Sequence, residues 1–415
     1  MPHTDPPPSG QPDPERAERI HARLTAPGAP FAVVRGERGT LEYADGPRTL
    51  REFVETTWAF GDTPFLIAGE RRYSYGEFFA AASALAVRLN ERYGLRPGDR
   101  AVVAMRNLPE WQIAFWAAQL AGLIAVPLNA RWAEDEFTYA LDDCEPGVLL
   151  VDGERMDRVA GWARRAGARV VVFQGEGQLP DGVSIERYED FPAPDPLAAP
   201  PDVEPRPEDD ATILYTAGST GRPRGAVATH LAQAGAALDA RYRAAASALE
   251  RGGIPGMGDA PVIPVTLPFS RLAAFADFYG AMAAGGTLVL TETETETETE
   301  TETETETEAE AGTEGAGETE GAEGTAYSID ATPVTELRIL ASSGSGDPLP
   351  DGATGELWLR GQPLLRGYWR DRDATAEAFS GGWFRTGDLA VRREGRVTVV
   401  GRAQAADRPE AADRP

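Results

Sequence analysis

The sequence predicts an α/β protein in which parallel sheets are covered by helices. Three observations carry this reading. The runs RAVVAMR (100–106), IAVPL (124–128), GVLLVD (147–152) and RVVVF (169–173) are largely apolar and of strand length, the pattern of strands buried on both faces. The stretches between them have helical spacing, and alternating strand and helix implies parallel pairing through crossovers. The hydrophobic fraction, 42% of 415 residues, is that of a globular chain long enough for two or three cored units.

In chain order, residues 1–30 are proline-rich and polar and are expected to form a flexible arm ahead of an α/β domain over 31–290. RRYSY (71–75) reads as a short strand. Ser74 and Glu77 have the S-x-x-E spacing of a capping box. The helix they open carries Phe78, Phe79, Ala82, Leu85, Ala86 and Leu89 on its apolar side, and Gly94 stops it. Pro109 suits the first turn of the next helix, PEWQIAFWAAQLAGL. DFPAPDPLAAPPDVEPRPED (190–209) reads as a linker before a second α/β unit. That unit is a strand ATILYT, a Gly-rich loop and a helix HLAQAGAALDARYRAAASAL; a further helix and strand fill 272–290.

Thr-Glu then repeats nine times from Thr291 to Glu308, and a Gly/Glu/Ala stretch continues to Gly324. Such a strand would be polar on both faces with half its residues like-charged, so 291–326 is expected to be a disordered acidic insert. TELRIL, GELWLRG and RVTVVG read as strands of a β-rich remainder over 327–402, followed by an unstructured tail at 403–415.

The net charge is −26, of which 14 charges come from glutamates in 291–323, leaving −12 elsewhere. That balance excludes nonspecific nucleic-acid binding. No apolar run reaches the roughly 20 residues of a spanning helix, and MPHTDPPPSGQPDPERAERI has no apolar signal region. The single cysteine, Cys144, excludes an intrachain disulfide, and a cytoplasmic location is expected. All 40 basic residues are arginine.

YTAGSTGRPRGA (215–226) is the segment that points to chemistry. A strand that ends in a Gly-rich loop before a helix can aim backbone N–H groups at an anion. The loop lacks the G-K-[ST] ending of a Walker loop, and the same composition also makes plain turns.

The loop resembles the phosphate-binding signature of the adenylate-forming superfamily, the AMP-binding acyl-CoA synthetases, written Y-T-S-G-[ST]-T-G-x-P-K-G. Ala217 stands for the serine and Arg224 for the lysine. A second run, GELWLRGQPLLRGYWRDRDATAEAFSGGWFRTGDLA (355–390), resembles the family's G-E-x-x-x-R-G…G-Y…T…F…G-W-x-x-T-G-D pattern. MRNLPEWQIAFWAAQLAGLIAVPLN (105–129) is similar to bacterial fatty-acyl-CoA ligases, and the resemblance covers roughly 25–290 and 334–402.

The resemblance implies a large N-terminal domain of two layered α/β subdomains and a small β-barrel. It implies that a fatty acid or related carboxylate reacts with ATP to give an acyl-adenylate, from which coenzyme A displaces AMP, with Mg2+ assisting. By motif match, Thr216, Ser219, Thr220, Gly221, Arg224 and Gly225 would form the phosphate loop. Arg224 keeps the charge of the lysine but not its shape. Asp388 would accept from both ribose hydroxyls, unless it only caps a turn, and Arg402 would be a second ribose contact. A small carboxylate is the implied partner, with no nucleic acid.

The chain also departs from the pattern. The Thr-Glu run stands where the family keeps acyl-pocket strands and a Tyr-Gly-x-Thr-Glu motif that engages magnesium, so no metal ligand is carried over. Arg271 replaces a family histidine, and Gly401-Arg402-Ala403-Gln404-Ala405 replaces G-R-x-K-D. The family's small C-terminal domain, with its lysine, is expected to be missing, and the 415 residues contain no lysine, so no catalytic residue is transferred. The expectation is an AMP-forming acyl-CoA ligase with impaired catalysis. A noncatalytic nucleotide-binding remnant and an interaction protein using its acidic insert are the alternatives. The strand TLVL (287–290) is expected to lose neighbours and expose an edge for self-association.

Overall fold

The computed structural model describes residues 14–175, 180–216, 222–291, 327–329, 331–341, 347–393 and 395–402. The acidic insert beyond Thr291, the tail at 403–415 and residues 1–13 of the arm lie outside the described residues.

The central sheet has eight strands, in the order Gly367–Tyr368, Arg224–Thr229, Asp210–Thr216, Ile124–Pro127, Arg100–Ala104, Val148–Asp152, Arg169–Phe173 and Ser184–Arg187. From Asp210–Thr216 onward every pairing is parallel. Val102, Leu149 and Val171 are fully buried, as the unbroken apolar runs require.

A second sheet pairs Val262–Val265, Thr287–Leu290 and Pro64–Ala68 in parallel and adds Arg71–Ser74 antiparallel at its edge. Helix Pro109–Leu120 lies in the same core as both sheets, and all its residues are buried. A helix apolar all round must be enclosed in this way. Its Trp111 ring sits 5.0 Å from Phe269, and Phe115 sits 5.5 Å from Phe275 of helix Leu272–Ala284.

A six-stranded antiparallel sheet forms the C-terminal part. Its main path is Tyr327–Ile329, Arg396–Arg402, Trp383–Arg393, Thr354–Gly361 and Thr335–Leu340. Ile339, Leu357, Leu359, Ala390, Val397 and Val399 make its own small core.

The capping box forms as the spacing predicts: the Glu77 N–H donates to Ser74 Oγ at 3.2 Å, and the Ser74 N–H donates to Glu77 Oε2 at 2.8 Å. Four expectations are corrected. The arm is not loose throughout, because Pro14–Thr25 is a helix whose Leu24 joins a buried cluster with Leu238 and Tyr242. The 190–209 stretch does not separate two sheets, because Asp210–Thr216 returns to the central sheet beside Ile124–Pro127. TLVL is not an edge, since it is flanked on both sides, and the edge falls to Val262–Val265. The Gly-rich loop does not lead into a helix. Asp210–Thr216 and Arg224–Thr229 form an antiparallel hairpin, and helix His230–Glu250 follows only after the second strand.

Candidate functional site

From Arg100–Ala104 the chain steps to Ile124–Pro127 on one side and then to Val148–Asp152 on the other. Strand order therefore reverses at Arg100–Ala104, and ligands of open α/β sheets bind outside the carboxyl ends of the strands at such a point. A cavity of about 380 Å³ opens there, with Arg106, Asn107 and Asn129 on the central-sheet side. The second sheet brings its own strand ends, including Ala68 and Leu290, and Arg71 adds a third cationic wall beside Arg131.

Asn107 joins the two sheets. Its Nδ2 donates to the Leu267 carbonyl at 2.8 Å, and its Oδ1 accepts from the Phe269 N–H at 2.9 Å. That pair fixes the 266–270 segment, whose Thr266, Pro268 and Ser270 face the cavity. Arg271, in the place of the family histidine, sits at the N-cap of helix Leu272–Ala284.

Asp210–Thr216, the strand that carries the loop, runs parallel beside Ile124–Pro127, and Asn129, two residues past that neighbour, lines the cavity. Ser219, Thr220 and Gly221 lie outside the described residues. Their stems are described: Thr216 pairs with Arg224, and its hydroxyl donates to the Arg224 carbonyl at 3.5 Å.

The loop's N–H groups do not form the start of a helix. Helix His230–Glu250 is capped by Thr229, whose hydroxyl accepts from the Ala232 N–H at 3.2 Å. Arg224 is directed to the neighbouring strand: its Nε lies 3.8 Å from Asp371, and its guanidinium stands over Tyr368 at 5.9 Å. Gly225 has a packing reason. A Cβ there would come within 2.7 Å of Ile213 Cγ2 and 3.2 Å of Trp369 Cβ. Beside it, Tyr215 donates to Asp143 at 2.5 Å, and burial first, then the nearby Cys144 and Asp143, raise its phenol well above the ordinary range.

The second group stands on the six-stranded sheet. Asp388 faces Arg402 across antiparallel strands, with Arg402 Nε 3.2 Å from Asp388 Oδ1. Asp388 lies inside strand Trp383–Arg393 and is only 4% exposed, so it caps no turn. Its N–H donates to Thr386 Oγ1 at 3.0 Å, and the Thr386 hydroxyl donates to the Leu357 carbonyl at 2.9 Å. Gly387 between them has φ +77°, the left-handed region in which a side chain is strained. The result is a recessed carboxylate with a cation partner, able to accept hydroxyls.

Thus Thr216, Arg224 and Gly225 share one hairpin, and Asp388 and Arg402 share one strand pair. Sequence reading missed Arg71, Arg106 and Asn107. A legible signal existed for two of them: Arg106-Asn107 directly follow the carboxyl end of an apolar strand. Among the described residues no group of three or more His, Cys, Asp or Glu side chains is placed to hold a metal. Nor is any described helix long and apolar enough to cross a membrane.

Comparison with known proteins follows the same lines. The family described as AMP-binding enzyme matches residues 53–309. Feruloyl-CoA synthase of an Amycolatopsis species is 28% identical over 393 residues, covering 80% of this chain and 74% of that protein. The long-chain-fatty-acid–CoA ligase FadD13 of Mycobacterium tuberculosis is 27% identical over 367 residues, covering 77% of this chain and 71% of that one. O-succinylbenzoate coenzyme A synthetase of Bacillus subtilis, solved in complex with AMP, superposes with a TM-score of 0.61 at 18% identity, over 85% of this chain and 98% of that one. At that identity the likeness shows the fold, which is that of the N-terminal domain of adenylate-forming enzymes.

Proposed function

Because the chain belongs to the AMP-binding enzyme family, we propose that it binds ATP and a small carboxylate in the manner of an AMP-forming acyl-CoA ligase. The observation that carries the reading is the place of the Gly-rich hairpin: its first strand, Asp210–Thr216, lies parallel beside Ile124–Pro127, and Asn129, two residues past that neighbour, lines the switch-point cavity. A phosphate chain on the loop and an acid in the cavity would then be neighbours. Holding two reactants in line is the larger part of what acyl and phosphoryl transfer ask of a protein.

In this reading Thr216, Ser219, Thr220 and Gly221 supply hydroxyl and N–H donors to the β- and γ-phosphates, with Arg224 as the nearby charge. Asp388 accepts from the ribose hydroxyls. Arg402 pairs with the recessed carboxylate and would share it with the sugar. Coenzyme A would be the second substrate. Magnesium would supply charge neutralisation on the phosphates in this chemistry.

The test is calorimetric titration of the 415-residue chain with AMP and ATP. One charge-assisted hydrogen bond contributes about 1.5–3 kcal/mol, so Asp388→Ala should weaken AMP binding by about tenfold or more. Equal affinity in the variant and the unmodified chain would remove Asp388 from the site.

A second reading, nucleotide binding without turnover, is favoured by one observation. The chain contains no lysine, and its substitute Arg224 points toward Asp371.

A further inference from the structure

The cavity at the switch point carries information about the acid it would hold. Three arginines, Arg71, Arg106 and Arg131, line it, and among the described residues its lining includes no carboxylate. Arg71 and Arg106 are each anchored from behind. Arg71 Nη1 meets Glu110 at 2.5 Å, and Arg106 Nη1 meets Glu154 at 2.7 Å while its Nε lies 3.4 Å from Asp152. Those contacts hold the side chains in place but use only part of each five-donor fork. Among the described residues no acceptor meets Nη2 of either arginine. Both groups are about two-fifths exposed, 40% and 36%, so their free nitrogens can be reached.

A hydrocarbon chain laid in this cavity would cover guanidinium donors without pairing them. Burying a polar group in that way, without a partner, is unfavourable. A carboxylate or phosphate in the same place would accept from two pre-positioned forks. We infer that the cavity selects a small acid bearing a second anionic group, bound by Arg71 and Arg106, rather than a plain fatty acid. This rests on the reading that the cavity holds the carboxylate substrate. It adds that one carboxylate is turned to the reacting end and the other to the arginines.

The experiment is calorimetric titration of the full 415-residue chain, saturated with AMP, with isophthalate, benzoate and dodecanoate. Isophthalate should bind about tenfold or more tightly than benzoate, the usual effect of one additional charge-assisted hydrogen bond. Arg106→Gln should abolish that advantage, with its melting temperature as the check on folding. If Arg106→Gln does not fold, Arg71→Lys decides, because it keeps the charge opposite Glu110 but loses the fork, and the advantage should shrink. Equal binding of isophthalate and benzoate, tightest binding of dodecanoate, or full discrimination in the folded variants would overturn the inference. AMP binding is read in the same samples. Intact AMP binding without discrimination removes the diacid inference alone. Discrimination without AMP binding removes the nucleotide reading and leaves the selectivity of the cavity standing.

Discussion

His230 opens the long helix and is fully buried. Its Nδ1 accepts from the Leu50 N–H at 3.3 Å, which puts the ring proton on Nε2. Burial pushes its pKa down to about 4, against the opposing pull of Asp209 and Asp210. A base with a depressed folded pKa loses stability as pH falls from its unfolded value near 6.5 toward 4. Asp239 acts in the opposite sense. Burial raises it to about 6, against hydrogen bonds from Tyr43 and Thr332 and the charge of Arg243. Its contribution is fully present below its unfolded value near 4 and is lost as pH rises through 6. The two contributions oppose each other between pH 4 and 6. Relative to the unmodified chain, Asp239→Asn should lose more stability on going from pH 6.5 to 4.5, and His230→Gln less. Denaturant midpoints at the two pH values read this directly, and parallel shifts in all three proteins would reject it.

At the scale of elements, the hairpin around the Gly-rich loop is secured by a second strand that arrives from far along the chain. Ala226 and Val227 pair with Tyr368 and Gly367, and the Trp369 N–H donates to the Gly225 carbonyl at 2.7 Å. Overpacking of a close contact costs about 1–3 kcal/mol, so Gly225→Ala should lower the melting temperature through its clash with Ile213 and Trp369. A variant melting with the parent would show that the hairpin can shift to admit a methyl group. The exposed edge of the second sheet is the other consequence. Val262 is 67% exposed on edge strand Val262–Val265, with Ile254 and Met257 also exposed nearby in sequence. Pro264 removes one donor from that edge, a known means of limiting strand addition. Concentration-dependent association should persist in the unmodified chain and fall in Val262→Lys, measured by sedimentation. Identical sedimentation of both proteins would place any association elsewhere.

At the scale of the whole molecule, binding and turnover separate. On the proposed reading the hairpin, the cavity and the Asp388–Arg402 pair would hold the reactants. Turnover also needs charge stabilisation on the phosphates, and the chain offers no lysine and no described metal cluster for it. Loss of one preorganised donor typically costs about 10²–10³ in rate, and such losses do not simply multiply. The 415-residue chain should therefore release little AMP from ATP, coenzyme A and a panel of acids. AMP release tied to acyl-CoA formation, above a Thr220→Ala/Asp388→Ala control, would show that another group has taken over.

The chain's local chemistry determined what depends on neighbours in sequence. The capping box at Ser74 and Glu77, Pro109 at its helix start and the apolar strands were legible because each rests on residues within one turn or one strand. The two motifs were legible as motifs for the same reason. The pairing of strands was decided only in three dimensions. Asp210–Thr216 crosses a proline-rich stretch to join the first sheet, and the second sheet is assembled from segments near 70 and 280. Arg224–Thr229 is a strand rather than a helix entry because it pairs along its length with Asp210–Thr216 and, at two residues, with the distant Gly367–Tyr368. Arg71 and Arg106 gained their meaning in the same way. They lie 35 positions apart in the chain, and only the meeting of two sheet edges puts both in one cavity. Registers and cavities of this kind arise from contacts between distant segments, whose balance no local pattern records.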